Sequence, residues 1–453
     1  MKDILDKYIC KIEGHGYLKL DYSAAKVQLV VDEGERLFEK LLVGRPYSDA
    51  PFITARICGV CPTAHTLASI SALENAFHVE VNKDIEHLRR VLLAGQIIQS
   101  HALHFFFLAA PDYIGLDNAL EIADKKPAVF KMALALKEIG DDIVRTIGGR
   151  QVHPVTPTVG GFNKKFDRKT LADLKKRIDA NMHFTVETLD LAQRFKYPGD
   201  NFQFSISLPR RQAGNFQSNS NNQSSNTQYS IPNTQYWRAT QYFALTNGIN
   251  YDIIGGKITS TERVKADVQD YSLNIREKVV AHSTAKHATH NKESFMVGAL
   301  SRVNLQTKFL NPKAKTAVSK FKKVKLPSTN PFHINLAQAI ELVHFMEECS
   351  KLLGVMIDGR DPILKMPYRA RKSEAAGAIE APRGTLYHWY EIDDKGIIKK
   401  SDIITPTVQN LANIEHDAEF ILENTRKLPE DERYRLLEML VRAYDPCITC
   451  SVH

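Results

Sequence analysis

Along residues 8–31 the apolar positions Ile9, Ile12, Tyr17, Leu18, Leu20, Val27, Leu29 and Val31 recur at short intervals among polar ones, which predicts a strand hairpin. The period then lengthens. Leu67, Ile70, Leu73 and Phe77 follow Pro62 at helical spacing, and proline suits a first helical position. Asn82 and Asp84 are cap residues for a long helix expected to reach about residue 110 and to end at Pro111. Its most apolar part, 91–110, is interrupted by Gln96, Gln99, Ser100, His101 and His104, so it reads as a buried core helix and not as a membrane span. Helical periodicity returns over 167–194 and over 336–353, where Ala339, Ile340, Val343, Phe345, Met346 and Leu353 share an apolar side. Between these, 148–154 and the pair Gly160, Gly161 read as a structured loop. Residues 215–235, dominated by Asn, Gln and Ser, read as a surface insertion without chemistry.

Onto this pattern the cysteines impose a constraint. Cys58-Gly59-Val60-Cys61 lies just ahead of the helix that Pro62 opens, and Cys447-Ile448-Thr449-Cys450 lies at the other end of the chain. Each pair is followed by a histidine, His65 and His453. Thiolates favour soft, transition-type metals, and two close pairs converging in space form a four-sulfur pocket. At a helix start, free N–H groups and the dipole favour thiolate over thiol. Gly59 suits a tight backbone between two sulfurs. His65, one turn further on, is placed to donate a hydrogen bond to a ligating sulfur. A structural zinc site would use the same four ligands, although ribbon-type zinc sites bring their pairs within about 20 residues of each other. A thioredoxin-like redox site needs only one such pair.

Composition narrows the class. The chain has 453 residues, 43% hydrophobic and 25% charged, an ordinary globular balance. Two or three domains would suit that length, but ligands at both ends require one intertwined unit spanning 1–453. The net charge of +8 is spread along the chain with no basic run interleaved with aromatics, which argues against a nucleic-acid partner. No secretory signal is evident, and the cysteine usage fits metal ligation in a reducing compartment. Cys10 and Cys349 have no partner spacing and read as plain thiols. His282, His287 and His290, spaced five and three apart, fit no single helical face and read as weak metal candidates.

Both cysteine motifs resemble those of the nickel–iron hydrogenase large, catalytic subunit, and the resemblance covers most of the chain apart from about 202–251. It implies Cys58 and Cys447 as terminal nickel ligands, Cys61 and Cys450 as nickel–iron bridges, and an iron carrying carbon monoxide and cyanide. Glu13-Gly14-His15-Gly16 resembles the family's N-terminal motif, whose glutamate relays protons; burial can lift a carboxyl pKa to suit that task. Arg36-Leu37-Phe38-Glu39 resembles an Arg-x-x-Glu pattern supplying a hard oxygen donor for magnesium. Ile403-Ile404-Thr405-Pro406-Thr407 resembles the segment that lends magnesium a backbone carbonyl, that of Ile403, and His453 would complete the site. Glu380-Ala381-Pro382-Arg383-Gly384-Thr385-Leu386 resembles the segment whose arginine faces the iron ligands, here Arg383. Leu386-Tyr387-His388 is similar to the soluble, cytoplasmic branch. One departure is Ser100, where many relatives carry aspartate. The resemblance also implies that a maturation protease cuts after His453 once nickel has entered.

The expectation is therefore an α+β, mainly helical fold. A central bundle of long helices is joined by N-terminal and peripheral β-structure, and both chain ends meet at a buried metal site. The implied activity is reversible heterolytic cleavage of H2 in the cytoplasm. Four cysteines assigned to one site leave no Fe–S motif, so electrons would leave through an Fe–S small subunit, the expected partner, with further electron-transfer subunits beyond it. The rival readings are a zinc-stabilised scaffold and a non-catalytic structural subunit of a larger redox complex.

Overall fold

The computed structural model describes residues 4–200, 237–321, 324–359 and 362–453. The polar stretch 215–235 lies outside them. Asn82 accepts the Ile85 N–H at 3.0 Å and is the cap, while Asp84, the other expected cap, lies inside the first turn; Asp167 accepts the Thr170 N–H at 2.8 Å and caps a later helix. Asn82 and Asp167 start the helices Lys83–Leu103 and Arg168–Arg194. With Pro127–Gly148 and Ile334–Asp358 these form a four-helix bundle in which each helix packs on two others. Lys83–Leu103 and Pro127–Gly148 approach closely because the contact uses glycine: a Cβ at Gly140 would lie 2.6 Å from the Gln99 nitrogen.

Pro111 does not end the long helix. After Leu103 the chain widens into a π-turn, His104–Ala109, and continues as Ala110–Ile114. Proline cannot donate to the carbonyl four residues back and crowds it; the wider turn takes up that mismatch. The run Lys83–Ile114 is long and apolar enough to cross a membrane by length and composition, yet 78% of its most apolar window is buried inside the fold.

The N-terminal hairpin proves to be three strands, Ile4–Tyr8, Gly16–Asp21 and Lys26–Val31, all antiparallel. A second antiparallel sheet, Ser373–Ala381, Gly384–Ile392 and Ile398–Ile404, lies on the cysteine helix Pro62–Phe77. Gly377 allows that approach, since a Cβ there would be 2.6 Å from the Ser71 carbonyl carbon. Helices Pro406–Asn424 and Glu430–Ala443 then lead to the short turn Ile448–Ser451 at the chain end.

Candidate metal centre

The two ends of the chain meet backbone to backbone. Glu13 and Cys447 form a parallel bridge, with the Ile448 N–H donating to the Glu13 carbonyl at 3.1 Å. Arg36 joins them: its N–H donates to Val452 O at 2.9 Å, while its guanidinium donates to the carbonyls of Ile57 and Thr449. Those carbonyls precede Cys58 and Cys450 respectively. The four sulfurs come together as a result. Cys58 and Cys447 Sγ are 3.3 Å apart, Cys61 and Cys450 Sγ 3.4 Å, and Cys447 and Cys450 Sγ 2.7 Å. These are too long for a disulfide bond, and all four residues are buried.

Burial pushes the Cys447 and Cys450 thiols well up. The Cys447 thiol, hydrogen-bonding to Cys58, pulls that group well down, with Arg383 adding to the effect. Two backbone donors, Val60 N–H at 3.2 Å and Cys61 N–H at 3.4 Å, also point at Cys58 Sγ. Four buried sulfurs cannot all be anionic without a cation to share, so the donor set fits soft metals. Gly59 is not required for this turn: its φ is not positive and a Cβ there meets nothing within 4 Å.

Arg383 occupies the two-residue turn between Ala381 and Gly384. Its Nη2 donates to Asp445 Oδ1 at 2.7 Å and its Nε to the Asp445 carbonyl. Its Nη1 is buried with no hydrogen-bond partner, and the sulfurs are among the groups that raise its pKa against the opposing effect of burial. A free cationic donor beside the sulfurs suits an anionic or polar metal ligand. Glu13 is half-buried; Thr449 N–H donates to its Oε2 at 3.1 Å and Thr449 Oγ1 to its Oε1. Its carboxylate therefore touches the residue between the two C-terminal cysteines.

Glu39, Ile403 and His453 also converge. Ile403 N–H donates to Glu39 Oε1 at 2.9 Å. His453 Nε2 is 2.6 Å from Ile403 O and 4.0 Å from Glu39 Oε1, and its Nδ1 is 2.8 Å from Cys450 O. A neutral imidazole has one N–H, so it cannot donate to both carbonyls; a cation held by Nε2, Ile403 O and Glu39 would remove that conflict. The His453 side chain is 3% exposed. His65 differs from expectation. Its Nδ1 faces His388 Nε2 at 3.2 Å and it makes no hydrogen bond to a sulfur, because the cysteine helix turns its ring toward the neighbouring sheet. Burial holds its pKa down to about 3.

A family model described as nickel-dependent hydrogenase matches residues 36–138 and 129–453. The chain is 32% identical to the alpha chain of sulfhydrogenase 1 of Pyrococcus furiosus, over 98% of this chain and 96% of that one. It is 30% identical to one chain of an F420-non-reducing hydrogenase of Methanococcus voltae, covering 98% and 94%. The chain belongs to the nickel-dependent hydrogenase family. In fold, it is similar to an NAD+-reducing [NiFe]-hydrogenase in the H2-reduced state, with a TM-score of 0.82 at 24% identity and 99% coverage of both chains. The expected α+β architecture, with both ends at a buried four-cysteine site, is thus the architecture found in that family.

Several supports of this hydrogenase site went unseen in the sequence. Arg302 is fully buried; it donates to both Glu341 oxygens at 2.6 and 2.7 Å, to Glu380, and to the carbonyls of Ala381 and Pro382. It thereby fixes the turn that carries Arg383. His101, 2.7 Å from Glu341 Oε2, belongs to this network, while His104 contacts Gln338 and the Arg442 carbonyl at 2.6 Å each. Neither histidine touches a sulfur. Thr407 Oγ1 accepts the Cys447 N–H at 2.9 Å. Arg302 is a lone residue in sequence, tens of positions from its partners; His101 and His104 were legible as histidines supporting the site without touching the metals, and Thr407 lies in the segment 403–407 with no sign of its bond to Cys447.

Proposed function

We propose that the chain is the catalytic subunit of a nickel–iron hydrogenase that cleaves H2 reversibly into protons and electrons. The observation carrying this reading is the convergence of four buried sulfurs from both chain ends beside the unpartnered Nη1 of Arg383. Cys58, Cys61, Cys447 and Cys450 would hold nickel and iron. Carbon monoxide and cyanide would complete the iron. Such a centre supplies the Lewis acidity that splits H2 heterolytically.

The chain's own residues do the rest. A cysteine sulfur of the C-terminal pair would take the proton, and the Glu13 carboxylate, hydrogen-bonded to Thr449 beside that pair, would hold and release it. Arg383, clamped by Asp445, keeps its remaining N–H free beside the sulfurs, where it would face a metal-bound ligand, and cannot lose its charge. Glu39, the Ile403 carbonyl and His453 would hold Mg2+; oxygen donors suit so hard a cation. Its place between the last residue and the closing sheet would lock the C-terminal cysteines in.

The two relatives from Pyrococcus and Methanococcus are each one part of a multi-subunit hydrogenase. We infer that electrons pass here to an Fe–S small subunit, with further electron-transfer subunits and a cytoplasmic location. Metal analysis and infrared spectroscopy test the reading. Nickel and iron in equal amounts, with carbonyl and cyanide stretches, are expected. Zinc alone would overturn it in favour of a scaffold.

A further inference from the structure

His282, His287 and Glu415 form a second cluster, outside the four-cysteine site, with one donor atom of each within 4.8 Å of the others. The fold builds it from three elements. Thr284 N–H donates to Val31 O at 3.0 Å and Val31 N–H to Ser283 Oγ at 3.2 Å, which pins the preceding His282 beside the strand Lys26–Val31. His287 begins the strand His287–Thr289, and Glu415 comes from helix Pro406–Asn424. His282 Nε2 is 2.8 Å from Glu415 Oε1, and His287 Nδ1 is 3.7 Å from Oε2. The sequence spacing concealed this because the histidines lie on a loop and a strand and not on a helix. His290 is not part of it: its Nδ1 is 2.7 Å from Asn274 O.

The cluster is not a self-satisfied one. The His287 side chain is 2% exposed, its Nε2 has no partner, and its Nδ1 is beyond hydrogen-bond reach of Glu415. A buried imidazole nitrogen without a hydrogen-bond partner among the described residues is uncommon in folded proteins. Burial holds its pKa down to about 3, so its lone pair is free. Glu415 Oε1 accepts from Leu29 N–H at 2.9 Å and faces His282, which leaves Oε2 open, and burial raises the pKa of this carboxyl. Two imidazoles and a carboxylate with an open oxygen are donors suited to a divalent first-row ion. Tetrahedral zinc with bonds of about 2.0–2.2 Å sets its donors about 3.3 Å apart, between the two distances found. Glu415 and His282 side chains are 14% and 20% exposed, which gives an ion a way in.

We propose that His282, His287 and Glu415 bind a zinc-type divalent ion that clips the N-terminal sheet to helix Pro406–Asn424. The test uses the purified hydrogenase with its partner subunits, treated with EDTA, titrated with zinc chloride alone and desalted. Nickel, iron and zinc are then counted by mass spectrometry. Wild type is expected to retain one zinc per chain. His287→Ala and His282→Ala should each weaken zinc binding by more than about 100-fold, because even outer-sphere changes cost about 10–100-fold. Nickel content should stay unchanged. His282 lies on a partly exposed loop, so its variant decides the matter if His287→Ala fails to fold. No zinc in the wild type, or zinc binding in His282→Ala equal to wild type, would overturn the proposal.

Discussion

The two Cys-x-x-Cys pairs share a pattern but not a means of support. The first pair opens the 16-residue helix Pro62–Phe77, nearly all of whose residues are buried against sheet and bundle. Packing of that helix, with the Arg36 contact to Ile57 O beside it, fixes where Cys58 and Cys61 point. The second pair has only the four-residue turn Ile448–Ser451, too short to be stable by itself. It is held instead by polar contacts from distant segments: Glu13, Arg36, Thr407 and Ile403 all bind backbone or side-chain atoms between Cys447 and His453. One half of the centre is therefore preformed, and the other is assembled around it. Single polar substitutions should damage the second half and spare the first.

The largest effect erases the contrast. Serine at Cys58, Cys61, Cys447 or Cys450 should abolish H2 activity and bound nickel alike, since a hydroxyl replaces a thiolate poorly on soft metals. Full activity in Cys447→Ser, measured with nickel content, would break the site assignment. Next comes the network behind Arg383. Glu341→Gln takes from fully buried Arg302 the carboxylate that pairs with it most closely and leaves Glu380 as its remaining charge partner, a loss of up to about 3–5 kcal/mol readable in a denaturant titration. Burial raises the Glu341 pKa, but Arg302 outweighs it and holds the group down to about 2. Its contribution is thus complete above the ordinary value of 4.5 and is lost as pH falls toward 2. Acid unfolding of the wild type should steepen in that window, and less so in Glu341→Gln. Third, Glu13→Gln keeps the shape but not the exchangeable proton. Turnover should fall on the order of 10²-fold, about 2.7 kcal/mol of barrier, with metals retained. Unchanged steady-state H2 oxidation would leave Glu13 as a turn residue.

What could be read from sequence follows the same division. The first half announces itself locally, through Pro62, the helical spacing after it and the cysteines ahead of it. Long helices, such as the one that Asn82 caps and the one over 167–194, were legible for the same reason. Resemblance, not periodicity, pointed to Glu13, Glu39, Arg383 and His453, because the contacts that give them meaning span hundreds of residues. Arg302, Glu341, Asp445 and Thr407 were missed, since an isolated charged or hydroxyl residue on a helix or turn carries no sign of its partner. The third N-terminal strand and the π-turn before Pro111 depend on pairing and on a backbone adjustment that hydrophobic period does not encode.

The smallest effect is the sharpest test of unequal support. Each pair has a side chain at a comparable place that satisfies one backbone N–H. Thr407 Oγ1 accepts from Cys447 N–H at 2.9 Å, and Gln96 Oε1 accepts from Ala64 N–H at 2.9 Å. Thr407→Val and Gln96→Met each leave one buried donor unsatisfied, at about 1–3 kcal/mol, so global stability should drop by similar amounts. Their effects on the centre should differ. The Ala64 N–H lies in a helix whose other contacts keep Cys61 in place, and Gln96→Met should bind nickel as tightly as wild type. The Cys447 N–H belongs to a short turn held by individual polar contacts and not by helix packing, and its loss lets that sulfur move. Nickel retention after chelator challenge should therefore fall in Thr407→Val alone. Equal nickel loss in both variants would mean that the first pair is no more preformed than the second.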